Sequence, residues 1–205
     1  MKKLIFSLVA SLVMAGAANA ATFNGDLTLD TPFNLSSNGL QLKAVRIPNS
    51  GGQTFVSAPL DFDLGNVGDT ATLDLFVVRT REPTAEADDF LPKAFGLLFS
   101  FGQGSVILTG TSYAVNDGVN VFGFLDFDGP VSIALGNAQA LVISLSDLVF
   151  NAGVGAFTPG KANGALVSAS FELVAVPLPA TLPLGLGALG LLGFVARRRK
   201  AVVQA

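Results

Sequence analysis

Two pairs of aspartates have a spacing that could do chemistry. Asp61 and Asp63 lie two residues apart, as do Asp126 and Asp128. In a β-strand such residues project from the same face, so each pair could present two carboxylates together. Paired carboxylates can contribute to a Ca²⁺ site or act as acid and base on a glycosidic bond. The EF-hand pattern is absent, and same-face acids arise by chance in any acidic β protein, so these aspartates are weak calcium candidates and no catalytic residue is assigned.

A complete calcium site would need further ligands, because Ca²⁺ takes about six to eight oxygens from several segments. Acids expected in loops could supply them, namely Asp69, Asp88, Asp89 and Asp117. Solvent-facing acids explain the same pattern more simply. We therefore expect no metal, no cofactor and no enzymatic activity.

The absence of two residue types excludes several mechanisms. The chain has no His and no Cys. No Ser-His-Asp triad, no Cys-His nucleophile pair and no Zn, Cu or Fe site with nitrogen or sulfur ligands can therefore be built. Disulfides are excluded as well, so an exported domain must be stabilised by its hydrophobic core alone.

Carbohydrate binding is the main alternative function. Sugar sites present exposed aromatic rings, but this chain has no Trp and a single Tyr, Tyr113. Tyr113 follows Gly110, Thr111 and Ser112 in what we interpret as a turn region, and it is the one candidate platform. A half-buried Tyr with its hydroxyl at the surface is the simpler reading.

The central part of the chain is strongly acidic. Residues 21–176 contain six Lys or Arg and all fifteen Asp and Glu of the chain, a net charge of −9 against −3 for the whole chain. Such a surface disfavours nucleic acid as a partner and favours solubility.

The same central part predicts an all-β fold. Residues 60–64 and 70–75 alternate apolar and polar side chains around a loop at 65–69, which predicts a β-hairpin. Further strands are predicted at 41–47, 95–101, 105–111, 119–127, 131–135, 140–146 and 166–175. Turns are predicted at Asn24-Gly25, Asn38-Gly39, Gly102-Gln103-Gly104, Asp128-Gly129-Pro130 and Asn163-Gly164. About nine short strands indicate a two-layer β-sandwich, with a jelly roll as one option, and the 17 Phe are assigned to its core.

One charged segment interrupts this pattern. Residues 79–93, RTREPTAEADDFLPK, place seven charged residues around two prolines. We expect a long exposed connection between strands, either simply solvated or carrying a partner-binding site.

The N-terminus has the features of an export signal. Lys2 and Lys3 precede an apolar stretch, and Ala18-Asn19-Ala20 is the small-x-small pattern that signal peptidase accepts, with Ala18 and Ala20 as its recognition residues. The apolar stretch is shorter than the roughly 20 residues that span a bilayer, which disfavours a retained anchor. The mature chain is expected to begin at Ala21.

The C-terminus has three parts in order. These are Val176-Pro177-Leu178-Pro179-Ala180, an apolar Gly/Leu run at 181–196, and the cations Arg197, Arg198, Arg199 and Lys200. The run predicts a membrane helix, and the cations would stay on the cytoplasmic side and fix its topology. A simple membrane anchor is the alternative. A GPI signal is excluded because it needs a polar spacer upstream.

This order resembles the PEP-CTERM class of bacterial sorting signals, in its VPLPA-CTERM variant. The resemblance implies recognition by an exosortase, a multi-pass membrane enzyme of the cysteine-protease type that would cleave at or near the motif. It also implies a Gram-negative, exopolysaccharide-producing setting. The PEP core is replaced by Pro177-Leu178-Pro179, which lacks the acidic residue and leaves the exosortase subtype open.

The sequence therefore predicts a signal peptide at 1–20, an exported β-sandwich at 21–175 and a sorting signal at 176–205. The predicted function is that of a non-enzymatic surface or extracellular-matrix protein. Its expected partners are signal peptidase and an exosortase, with exopolysaccharide as a further option. The expected route is transient anchoring in the inner membrane, followed by the cell surface or the medium. A carbohydrate- or Ca²⁺-binding module is the alternative.

Overall fold

A computed structural model describes residues 21–29, 40–46, 57–136 and 138–176. These residues form eleven β-strands and one short 3-10 helix. The strands are β1 (Ala21–Leu29), β2 (Leu42–Arg46), β3 (Ser57–Leu64), β4 (Thr70–Thr80), β5 (Lys93–Phe101), β6 (Gly104–Asn116), β7 (Asn120–Phe127), β8 (Val131–Gly136), β9 (Gln139–Leu145), β10 (Leu148–Val154) and β11 (Ala165–Ala175), and the 3-10 helix η1 is Lys161–Asn163.

The strands form two antiparallel sheets that pack face to face. The first sheet has six strands in the order β10-β7-β6-β5-β1-β3, and the second has five in the order β2-β4-β11-β9-β8. The all-β prediction is confirmed, and all nine predicted strands are present. The jelly-roll option is not supported, because a jelly roll has eight strands in two Greek keys, whereas here β5, β6 and β7 form a simple meander within eleven strands.

The core lies between the sheets and follows from the two-residue alternation of the strands. In β3, for example, Leu60, Phe62 and Leu64 are buried while Asp61 and Asp63 are exposed. Phenylalanine and leucine supply most of this core. The prediction that every Phe lies in the core is too broad, because Phe90, Phe122 and Phe124 are not buried. The buried phenylalanines in the described residues are Phe23, Phe62, Phe76, Phe95, Phe99, Phe101, Phe127, Phe150, Phe157 and Phe171.

Phe171 of β11 joins the two sheets. Its ring lies 4.4 Å from that of Phe62 and packs edge-on against Phe99 and Phe101, which belong to the opposite sheet. Buried aromatic rings remove large apolar areas from water, and edge-to-face pairs add to this. The last strand of the domain is therefore fixed by its central side chain.

Residues 60–75 do not form the predicted hairpin, so this prediction is wrong. β3 pairs with β1 in the first sheet, whereas β4 pairs with β2 and β11 in the second. The loop at 65–69 therefore crosses from one sheet to the other. An alternating pattern predicts which face of a strand is buried, but both strands of a sandwich corner bury one face just as hairpin strands do, so alternation does not identify the partner strand.

Two strands, β1 and β10, have no counterpart in the sequence prediction. Asn24-Gly25 was predicted as a turn, but both residues lie inside β1. The Phe101 ring occupies the space that a Cβ atom at residue 25 would need, so glycine is required there for packing. β10 is interrupted by a register shift between Phe150 and Gly153. This shift breaks the alternation of apolar and polar residues by which a strand is predicted.

The sandwich has two distinct ends. The junction end is where β1 begins and β11 finishes, and it includes the loop at 65–69 and the β8–β9 turn. The loop end is opposite and contains the connections at 81–92, 117–119 and 155–164. The register supports this division: Ala21 pairs with Leu64 at the junction end, while Leu42 pairs with Thr80 at the loop end.

Candidate functional site

The junction end leads directly into the predicted sorting signal. β11 lies in the middle of its sheet, between β4 and β9, and finishes at Ala175. The next residue, Val176, is the first of the predicted motif. Its N–H donates to the Ala138 carbonyl oxygen at 2.7 Å, and its side chain is 43% exposed. The motif therefore begins on the sheet itself, with no intervening linker.

The β3–β4 loop fixes this part of β11. The Gly68 N–H donates to the Leu173 carbonyl oxygen at 2.7 Å, and the Leu173 N–H donates to the Asp69 carbonyl oxygen at 3.1 Å. Gly68 has a φ of 94°, a conformation that favours glycine. These backbone hydrogen bonds extend the sheet around β11 and hold its end in place.

Asp69 stabilises the loop from within. Its carboxylate accepts hydrogen bonds from the N–H groups of Gly65 at 2.9 Å and Asn66 at 2.8 Å. A carboxylate that accepts the N–H groups three and four residues before it holds the two ends of this loop together. Asp69, one of the acids considered as a calcium ligand, is therefore engaged by its own loop.

The start of the described chain lies at the same end. β1 begins at Ala21, the expected first residue of the mature chain, and Ala21 pairs with Leu64 immediately before the loop at 65–69. β1 lies between β5 and β3, so neither it nor β11 is an edge strand. The two predicted processing sites thus flank one end of the sandwich.

The other predicted signal residues lie outside the described residues. These are Ala18 and Ala20 of the signal peptide, Pro177, Leu178, Pro179 and Ala180 of the motif, and Arg197, Arg198, Arg199 and Lys200 of the tail. The predicted helix at 181–196 lies outside them as well. Within residues 21–29, 40–46, 57–136 and 138–176, no helix is long and apolar enough to cross a membrane.

The two aspartate pairs are not brought together. Asp61 and Asp63 face outward on β3, at one edge of the first sheet. Asp126 lies on β7, four strand spacings away, which corresponds to about 19 Å. Asp128 follows β7 and accepts a hydrogen bond from the Thr109 hydroxyl at 2.6 Å. In the described part of the chain, no group of three or more acids could hold a metal ion together.

Two further acids considered as calcium ligands hold their own connections in place. Asp117 accepts from the Val119 and Asn120 N–H groups at 2.9 and 2.7 Å, and these hydrogen bonds, that from Asn120 foremost, lower its pKa. Asp89 accepts from the Glu86 N–H at 2.7 Å. Both have a structural explanation that requires no ligand.

The predicted long connection is confirmed, but it is not fully exposed. Residues 81–92 link β4 to β5 at the loop end. Asp89 within it is only 2% exposed, and its carbonyl oxygen accepts from the Ala114 N–H at 2.7 Å. Burial raises the pKa of Asp89, and it also raises the pKa of Glu82, whose carboxylate accepts from the Gln41 N–H.

Cations collect near this connection. Lys43 on β2 pairs across the strands with Arg79 on β4, and Lys43 is 7% exposed. Burial, followed by the charges of Arg81 and Arg79, lowers the pKa of Lys43. The loop end therefore holds like charges close together.

Tyr113 does not lie in a turn. It lies within β6 on the outward face of the first sheet, half-buried, and its ring is 5.5 Å from that of Phe124 on β7. Thr111 and Asp126, which pair with each other on the same two strands, also face outward. The sequence prediction missed Phe124 because every Phe was assigned to the core.

Asn151 is an important structural residue that the sequence prediction missed. It is 1% exposed, has a φ of 52° and lies at the irregularity in β10. Its side-chain oxygen accepts from the Thr80 N–H at 2.8 Å, and its amide donates to the carbonyl oxygens of Thr158 and Gly160. Asn151 thus joins the two sheets and the connection at 155–164. The only sequence signal for an irregular backbone here is the triplet Asn151-Ala152-Gly153 inside an apolar stretch.

Comparison with known proteins bears on the C-terminal segment. No curated protein and no solved structure matches the chain. A family model described as the PEP-CTERM protein-sorting motif matches residues 175–200. The match begins at the last residue of β11 and includes the proline motif, the apolar run and the basic cluster. The chain therefore carries a PEP-CTERM protein-sorting motif at its C-terminus, directly after the last strand of the sandwich.

Proposed function

We propose that this protein is an exported, non-enzymatic component of the cell surface or extracellular matrix. An exosortase sorts it and cleaves it at the VPLPA segment, after transient anchoring through the tail. The product released by this cleavage is the β-sandwich that begins at Ala21.

The observation that carries this proposal is the coincidence of two boundaries. The sorting-motif match starts at residue 175, and the last strand of the sheet finishes at Ala175. Cleavage at or after Val176 would therefore leave every strand intact, including β11 between its two neighbours. A cleavage signal at this position can be removed without damage to the folded domain.

The motif can be tested by replacing Pro177 and Pro179 with Ala. Export is expected to continue, because the signal peptide is unchanged, while C-terminal maturation is expected to stop. Gel mobility and mass of the exported protein would report both steps. Normal maturation of this variant would remove the motif from the proposal.

The topology can be tested separately by replacing Arg197, Arg198, Arg199 and Lys200 with Ser. Cytoplasmic cations hold the end of a membrane segment inside, so their loss is expected to let the tail slip outward and to prevent processing. Unchanged processing would contradict the assigned orientation.

A second candidate function, carbohydrate binding, is favoured by one specific observation. The outward face of β6 and β7 places the rings of Tyr113 and Phe124 beside the polar side chains of Thr111 and Asp126. Aromatic faces with neighbouring hydroxyl and carboxylate groups are the arrangement that sugar rings bind. Titration with the host's own exopolysaccharide would test it. Binding that is lost in Tyr113→Ala and Phe124→Ala would support this function, and its absence in the wild type would reject it.

A further inference from the structure

The distance between the sandwich and the membrane is limited by the chain itself. Val176 is still hydrogen-bonded to the sheet, and the apolar run starts at residue 181. Four residues, 177–180, separate them, and four residues cover at most about 14 Å even when fully extended. An enzyme that binds these residues at the membrane surface must therefore meet the folded domain as well.

The surface that it would meet is the junction end. There, the loop at 65–69 and the β8–β9 turn lie on either side of β11. Val67 in the loop is 50% exposed, and Gly136 and Ala138 in the turn have φ values of 82° and 57°. The hydrogen bonds to Leu173 and Val176 hold both segments against the strand that leads into the motif. The first motif residue, Val176, is thus held at this surface.

Charge distinguishes this surface from the rest of the domain. Among the described residues of the junction end (21–25, 60–73, 136, 138–142 and 170–176) there are four acids, Asp61, Asp63, Asp69 and Glu172, and no Lys or Arg. The cations of the domain lie elsewhere, on β2, the loop-end half of β4, residue 81, the first residue of β5 and η1. An acid-only surface is repelled by anionic lipid headgroups and attracted to a basic protein surface.

We propose that the junction end is a docking surface for the extracytoplasmic face of the sorting protease, which carries complementary basic residues. This inference rests on the proposed function. The docked sandwich presents the motif in a fixed direction, so the protease recognises a folded, short-tethered substrate rather than the motif alone. Asp63 and Glu172, both exposed and on opposite outer faces, contribute to the attraction.

A linker insertion tests the docking directly. Ten residues, GGSGGSGGSG, are inserted between Ala175 and Val176 in the full chain, which leaves the motif and every strand unchanged. The first inserted glycine retains an N–H for the Ala138 carbonyl oxygen. The linker gives the motif a root-mean-square reach of about 16–19 Å from the sheet. We expect processing to slow roughly tenfold, because flexible tethering lowers the effective concentration of the docked motif.

The matched control carries the same ten residues between Pro83 and Thr84, both exposed at the loop end. It has the same added length and flexibility, and we expect it to be processed at the wild-type rate. Pulse-chase labelling in the host would give the three rates. If the junction insertion is processed as fast as the wild type, docking is overturned while the sorting proposal stands. If the wild type itself is not processed, the sorting proposal fails.

Neutralising acids of the junction end tests whether the docking surface of the protease is basic. In solubilised membranes that contain the protease, the double variant Asp63→Asn and Glu172→Gln is expected to be processed about threefold more slowly at low salt and to show a weaker salt dependence. The control, Asp117→Asn and Glu86→Gln, removes the same charge from exposed positions at the loop end, and the amide that replaces the Asp117 carboxylate keeps a side-chain oxygen for its local hydrogen bonds. Equal rates for the two double variants would overturn the charge complementarity. Faster processing of the junction variant would mean that the acids repel the membrane or the enzyme, and would also overturn it.

Discussion

The two ends of the sandwich are organised differently. At the junction end, backbone hydrogen bonds from Gly68, Leu173 and Val176 connect the loops to β11, and the acids face no cation of the described chain there. At the loop end, side chains do the connecting: Asn151 joins β10 to β4, and Asp89 and Asp117 fix their connections. The loop at 65–69 and the β8–β9 turn at the junction end are short, and that end carries only acidic side chains. The connections at the loop end include longer ones, that end carries both acidic and basic side chains, and some of its charged residues are buried.

This difference fits the proposed processing of the molecule at one end. Both predicted processing sites flank the junction end, and the loop end is opposite to them. A segment that must enter an enzyme is best preceded by a short, well-ordered boundary. A surface that meets other molecules can tolerate longer connections, since loops carry most binding functions.

The largest expected effect comes from the core next to the junction end. Phe171→Ala removes the ring that packs against Phe62, Phe99 and Phe101. We expect a loss of about 3–5 kcal/mol in the free energy of unfolding, measured by urea denaturation. Phe90→Ala is the control at the loop end, where Phe90 is 38% exposed, and should cost under about 1 kcal/mol. Similar losses in both variants would contradict the assigned core.

The second effect concerns the side chain that connects the sheets at the loop end. Asn151→Ala leaves the Thr80 N–H and two carbonyl oxygens without their partner and places Ala at a positive φ. We expect a loss of about 1–3 kcal/mol for the unsatisfied buried groups. Asn163→Ala, at an exposed position in η1, should be neutral within about 0.5 kcal/mol. A neutral Asn151 variant would show that the sheets are joined without it.

The third effect is at the junction loop. Asp69→Ala removes the acceptor of the Gly65 and Asn66 N–H groups. We expect a loss of about 1 kcal/mol, because both N–H groups can turn to water. Hydrogen exchange should quicken at Gly68 and Leu173, and unchanged exchange there would mean that the backbone bonds hold the loop alone.

The smallest effect is a pH dependence at the loop end. Burial raises the pKa of Asp89 above its ordinary 3.8, so the folded state binds this proton more tightly than the unfolded state. Stability contributed by this group is therefore present in acid and is lost as pH rises from about 3.8 through the folded pKa. Asp89→Asn lacks this loss and should gain stability relative to the wild type over that interval. A wild-type advantage that instead grows with pH would contradict the sign.

The sequence predicted the fold class because alternation is a local property. Buried side chains alternate with exposed ones in β3 and with half-buried ones in β7, and both strands were predicted. The partner of each strand is not local, which explains why the corner between β3 and β4 was interpreted as a hairpin. β1 was missed because Asn24-Gly25 is typical of a turn, although Gly25 serves to admit the Phe101 ring.

The candidate functional and structural residues were likewise predictable only where their signal is local in the sequence. The sorting motif was predictable because its parts follow one another in the sequence, from Val176 to the basic cluster. Asn151 was not, because its partner Thr80 lies 71 residues away. Asp69, Asp89 and Asp117 were considered as ligands because their local hydrogen bonds are invisible in the order of residues.

The most direct test of the central claim is the C-terminal residue of the extracellular protein. Mass spectrometry of the protein from its host, with and without the exosortase, would identify it. We expect a chain that begins at Ala21 and finishes within Val176 to Ala180, seen only when the protease is present. An intact chain that still finishes at Ala205 in the presence of the protease would contradict the account.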